Sequence, residues 1–136
     1  EGVGGMKELR DAIYSQLANG TALTAALGGT AIYHLHAPDG AALPYVVFGW
    51  QGGGNVNIDP NETSETVQFV RVYAATDAQA GTIDGLIKDR LHKQSPAVTG
   101  YSVVYCWREG DYETVETTAG SDIYTQGGFY RIRITK

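Results

Sequence analysis

The sequence predicts an α+β fold: a mostly antiparallel sheet with two main helices packed on one face. Three observations carry that expectation. Apolar residues recur at helical spacing in only two long stretches, around Leu9, Ile13 and Leu17 and around Ala80, Ile83, Ile87 and Leu91. Most of the remaining chain is either continuously apolar or alternates, as strands do. The strands follow one another in sequence instead of interleaving with helices, which favours an antiparallel arrangement over a parallel βαβ one. A chain of 136 residues suits one core, so residues 6–136 are expected to form a single domain. The predicted order is helix, short helix, three strands, helix, three strands.

Each element has a local reason. Residues 1–5 precede the only methionine, Met6, and lack periodicity; they are expected to be an expression-derived leader, with the natural start at Met6. A helix of about 13 residues follows, carrying the Leu9-Ile13-Leu17 stripe, and Asn19-Gly20 stops it. Thr21 reads as the N-cap of a short helical turn closed by Gly28-Gly29. A strand over residues 31–36 runs into Pro38-Asp39-Gly40, where proline presets φ, aspartate bonds locally and glycine accepts positive φ. After Pro44, the run Tyr45-Val46-Val47-Phe48 is a buried strand. Residues 51–64 hold three consecutive glycines and little apolar material, and are expected to be a long flexible loop.

From residue 65 the chain alternates, with Val67, Phe69, Arg71 and Tyr73 on one face and Gln68, Val70, Val72 and Ala74 toward the core. Thr76-Asp77 then caps the second main helix, and Ser95-Pro96 closes that region. Strands are expected over 101–109, 112–118 and 129–135, separated by a turn at Gly110-Asp111 and by a polar segment at 119–128.

Composition narrows the function. Fifteen acidic against ten basic residues give a formal charge of −5, which argues against general attraction to nucleic acid or anionic membranes. A lone cysteine, Cys106, and the lack of a signal-peptide pattern or a long apolar run fit a soluble protein made in a reducing compartment. Among chemical candidates, His34 and His36 form a His-x-His pair that would share one face of a strand, with His92 or Asp39 as a third metal ligand. Two ligands alone are not a metal site, and surface histidines are the commoner meaning. Cys106 lies in an apolar strand with no adjacent base and reads as an inert buried thiol. Gly52-Gly53-Gly54 lacks the Gly-Lys-Ser/Thr and helix of a phosphate loop. Glu109, Asp111 and Glu113 form an acidic cluster whose commoner meaning is a solvated tip. No catalytic residue, metal ligand or cofactor follows from these patterns.

Two features point instead to association. Arg131 and Arg133 alternate with Tyr130, Ile132 and Ile134, presenting two guanidinium groups beside Phe129 on one sheet face. They are candidate subunit-interface residues, with Glu109, Asp111 and Glu113 as candidate ion-pair partners; ordinary solvation of that face is the alternative. Nine Tyr and two Trp exceed what so small a core needs, and amphipathic aromatics are enriched at interfaces.

The Leu9-Ile13-Leu17 stripe, Ile32-Tyr33, Ala37-Pro38-Asp39-Gly40, Pro44-Tyr45-Val46-Val47-Phe48, the alternating 67–74 stretch and the helix from Asp77 to Leu91 together resemble the tail completion, or tail terminator, proteins of long-tailed bacteriophages and prophages. The most specific element is Ala-Pro followed by Pro-Tyr-Val-Val; the resemblance covers roughly residues 6–91. It implies a structural virion protein, not an enzyme, that forms a homo-hexameric ring at the head-proximal end of the tail. The implied partners are the chain itself, the major tail tube protein and the head completion or stopper protein. Genomic DNA would only pass through the channel, and no membrane is involved. Assembly would take place in the host bacterial cytoplasm. Gly52, Gly53, Gly54, Asn55, Asn57 and Asp59 become the expected contact loop to the tube or neck. The alternatives are a neighbouring neck component, such as a head–tail joining or stopper protein, and a small metal-dependent enzyme using His34 and His36.

Overall fold

The computed structural model describes residues 5–56, 63–118 and 120–136. Helix α1 spans Met6–Ala18 and buries Leu9, Ala12, Ile13 and Leu17, so the predicted stripe is the packed face. It ends at Asn19. Helix α2 covers Thr21–Leu27 and buries Leu23 and Leu27. Its N-cap is Gly20, one residue before the expected Thr21, and Gly28 closes it in the left-handed conformation. Helix α3 spans Asp77–Leu91; the Thr76 hydroxyl accepts the Gln79 N–H at 3.1 Å, satisfying an amide that the helix itself leaves unpaired. Ala80, Ile83, Ile87 and Leu91 are its buried stripe.

Strands β1 (Ile32–His34), β2 (Tyr45–Val56), β3 (Thr63–Ala74), β4 (Ser102–Thr118) and β5 (Ser121–Thr135) form one sheet in the order β1-β2-β3-β5-β4. Only β1–β2 is parallel; the other pairs are antiparallel. Inward side chains of the sheet meet the three helices in one core cluster that includes Phe48, Val70, Val72, Cys106, Tyr130 and Ile132. Val70, Val72 and Ala74 face this core as their alternation predicts. The opposite face carries no helix among the described residues.

Three expectations are corrected. The strand expected over 31–36 stops at His34, because Leu35 takes φ +69 and turns the chain out of the sheet. The Pro38-Asp39-Gly40 turn beyond it is present, with the Ala41 N–H donating to the Pro38 carbonyl at 3.1 Å and Gly40 at φ +80. The expected loop over 51–64 is strand at both of its described ends: Gly52, Gly53, Gly54 and Asn55 pair with Val67, Thr66, Glu65 and Ser64. Ladder bonds replace flexibility there, and an irregularity between Trp50 and Gly52 plus φ +97 at Gly53 absorbs the glycine run. Asn57 and Asp59 lie outside the described residues.

The third correction concerns the last part of the chain, where two long strands stand in place of three short ones. Gly110-Asp111 is inside β4, paired with Phe129 and Gly128; a bulge between Arg108 and Gly110 takes up an extra residue without turning the chain. Gly127-Gly128 is likewise strand, and steric room is the reason for its glycines. A Cβ at Gly127 would run into the Val70 carbonyl oxygen and lie 2.8 Å from the Arg71 Cα and 3.1 Å from its Cγ, and one at Gly128 would lie 2.5 Å from the Arg108 Nε. Two arginine side chains cross β5 at these points, one on each face.

Candidate interaction face and its charged network

The helix-free face is built by alternation. On β3, Glu65, Val67, Phe69, Arg71 and Tyr73 point outward because Ser64, Thr66, Gln68, Val70, Val72 and Ala74 are buried. Register then places Arg131 beside Val67, Arg133 beside Glu65 and Phe129 beside Phe69. β4 adds Tyr105 and Trp107 opposite Arg133 and Arg131. Their rings stack at 4.1 Å with planes 3° apart, and Trp107 is 42% exposed. At the other end of the face Tyr45 stacks on Tyr73 at 5.1 Å, with Tyr33 edge-on to Tyr45 at 6.1 Å. The surplus tyrosines of the sequence thus gather largely on one surface, while Tyr130 is in the core.

Arg131 and Arg133 are on this face as expected, and their anions come from the same chain. Glu65 accepts from Arg131 Nη1 and Arg133 Nε, each at 2.9 Å, and from the Tyr105 hydroxyl. Arg131 also donates through Nε and Nη2 to Glu109, the latter at 3.1 Å. The Tyr105 hydrogen bond, then those of Arg131 and Arg133, hold the Glu65 carboxyl below its usual range against the opposing effect of burial. Its hydrogen bonds to Glu109 and Glu65 push the Arg131 guanidinium further up. Glu65 was absent from the sequence expectations. Its signal was position: it is the outward residue of an alternating strand, in register with Arg133.

The bulge separates the acidic cluster. Glu109 turns to the helix-free face, whereas Asp111 and Glu113 line a groove against α3 with Gly81, Asp84 and Lys88. The three carboxylates therefore do not converge. In that groove Arg108 uses all five of its donors. Nη1 and Nη2 grip Asp84 at 2.9 and 2.8 Å, Nε donates to Asp111 at 2.8 Å, and the Gly127 carbonyl and Tyr130 hydroxyl take the rest. Burial opposes its charge, but Asp84, Tyr130 and Asp111 together outweigh it and push the pKa of the guanidinium further up.

Arg71 differs from these. It lies over Gly127 between the rings of Phe69 and Tyr112, at 4.7 and 4.3 Å from their centroids. Its Nε is buried without a hydrogen-bond partner.

The remaining sequence candidates are scattered. His34 packs on Phe48 at 5.4 Å, and His36 lies past the end of β1, so the two do not share a strand face. His92 caps α3 at the far edge of the sheet, where its Nδ1 accepts the Arg108 N–H at 2.9 Å. Burial pushes its pKa down. Among the described residues no group of three or more His, Cys, Asp or Glu is placed to hold a metal. Cys106 is 2% exposed, and burial pushes its thiol up to about 12, so it is protonated at neutral pH. Among the described residues no helix is long and apolar enough to cross a membrane.

Comparison with known proteins agrees with the fold and adds a family. Residues 11–131 match the family described as tail completion protein gp17. A chain from the virion of a native gene transfer agent particle is similar in structure, with a TM-score of 0.77 at 21% identity over 94% of this chain and 95% of that one. A second solved chain matches with a TM-score of 0.62 at 12% identity, over 96% and 94%. At these identities the two likenesses concern the fold. No curated protein sequence matches.

Proposed function

Because this chain belongs to the tail completion protein gp17 family and is a structural protein of a phage-type tail, we propose that it is the subunit of a homo-hexameric ring that caps the tail tube. The ring stops tube polymerisation at the head-proximal end and offers the surface to which head completion or stopper proteins attach. The observation that carries this reading is the helix-free sheet face, where stacked aromatics and an ordered charge network lie open on one side of an otherwise packed subunit. Interface cores are enriched in Tyr, Trp, Phe and Arg, the residues gathered there. A contact between two different surfaces closes into a ring when its rotation divides a full turn, and the sheet face supplies one of the two surfaces.

The role needs positions held in register, not reacting groups. Arg131 and Arg133 are fixed by Glu65 and Glu109 before any partner arrives, so little side-chain freedom is lost on association. The net acidity of the chain suits a channel through which DNA slides, since clustered cations would hold phosphates. The test is tube growth. With the protein present during polymerisation of tube protein, tubes should stop lengthening and carry density at one end. Unchanged tube lengths at saturating protein, with none bound to tube ends, would refute the capping role.

A further inference from the structure

Every other arginine of the helix-free face has its anion; Arg71 has none among the described residues. Its guanidinium is nonetheless held in place by Phe69 and Tyr112, and its stem crosses β5 where Gly127 leaves the space. The orphaned, buried Nε is a cost to the isolated subunit, because an unmade hydrogen bond forfeits the full desolvation of the donor. A cation that is fixed by aromatic faces and lacks an acceptor is ready for one. It also sits centrally: β3 is the middle strand, and Arg71 pairs with Val47 on one side and Gly127 on the other. Central, aromatic-framed arginines are where interface energy concentrates.

We propose that Arg71 receives a carboxylate from the helix side of a second copy of this chain, an inference that rests on the ring reading above. Charge complementarity identifies the occupant. The chain is acidic, with formal charge −5, and on its helix side Asp89 of α3 and Glu113 of β4 are exposed and take part in none of the ion pairs among the described residues. A carboxylate on the same sheet face would make a two-fold contact that ends at a dimer. A ring of more members needs a different surface as acceptor, and the opposite side provides it.

The test follows assembly by native mass spectrometry, with the full chain alone and with tube protein. Arg71→Gln keeps the stem over Gly127 and removes the charge; it should remain folded by circular dichroism and raise the concentration for half-assembly roughly tenfold or more. Arg71→Glu should abolish assembly, and Asp89→Arg or Glu113→Arg in the same chain should restore it. Assembly of Arg71→Gln at wild-type concentration overturns the inference, as does failure of both reversals to restore Arg71→Glu, which would assign the acceptor to another protein. If Arg71→Gln fails to fold, Asp89→Asn combined with Glu113→Gln carries the test from the exposed side, and its unimpaired assembly has the same meaning. A wild type that stays monomeric alone and with tube protein defeats the ring reading itself, whereas wild type and Arg71→Gln assembling alike defeats only the role of Arg71.

Discussion

Replacing Arg108 by methionine should cost about 3 kcal/mol of stability, and the reason lies in what the change leaves behind. Methionine fills most of the volume but offers none of the five donors now spent on Asp84, Asp111, Gly127 and Tyr130. Asp84 is the decisive partner, since its side chain is 13% exposed and would remain as a nearly buried charge. Removing one member of a buried pair costs about 3–5 kcal/mol. The residual water contact of Asp84 sets the lower end of that range. Asp111 is 84% exposed and adds little, as surface pairs contribute about 0–1 kcal/mol. For a chain between the usual size classes, about 3 kcal/mol corresponds to a Tm lower by roughly 9–15 °C. Urea titration with thermal melting measures both. Arg108→Met combined with Asp84→Leu should recover most of the loss, because the uncompensated charge is then gone. A single variant within about 0.5 kcal/mol of wild type, or a double variant whose losses simply add, would refute the reasoning.

Acid should destabilise the protein in two windows. The pKa of His92 is lowered, first by burial and then by the charges of Lys88, Lys93 and Arg108, so its contribution is whole above about 6.5 and is lost as pH falls below it. Glu65 is lowered chiefly by the Tyr105 hydrogen bond, so its contribution is present above about 4.5 and disappears as pH falls through its folded value. A Tm that rises as pH falls from about 7 to about 5 would contradict the first sign, and one that rises as pH falls below about 4.5 would contradict the second. Glu65→Gln should shrink the second window and loosen the Tyr105–Trp107 stack, read as a change in tryptophan fluorescence. Gly128→Ala should displace the Arg108 guanidinium and cost about 1–3 kcal/mol by overpacking, measured by urea titration; a neutral effect would show that Arg108 can move away freely. Charge reversal of Arg131 with Arg133 should break the Glu65–Glu109 network and abolish assembly while the secondary structure measured by circular dichroism persists.

The helices and the inner sheet were readable because burial imposes a period. Leu9, Ile13 and Leu17, or Val70, Val72 and Ala74, are spaced by the geometry of the element that buries them. The same logic failed where strands leave the core. Residues 51–56 and 121–128 are paired by backbone hydrogen bonds, which leave no mark on side-chain composition, so glycine and polar residues there resemble loops. Gly127 and Gly128 fell within the expected polar segment because the close approach of the β3 backbone with Arg71, and of Arg108, is a long-range fact. The face of Arg131 and Arg133 was legible from alternation, but their partner Glu65 lies 66 and 68 residues away and only register joins them. The bulge before Gly110 puts Glu109 and Asp111 on opposite faces of a strand where a turn was expected; one extra residue flips every side chain beyond it.

The central claim is that this chain closes into a ring on the end of a tail tube. Electron microscopy of the purified protein, alone and mixed with preformed tubes, tests it most directly. The account predicts closed six-membered rings, either free at high concentration or seated on one end of each tube. Particles that remain single subunits in both preparations, with bare tube ends, would contradict it.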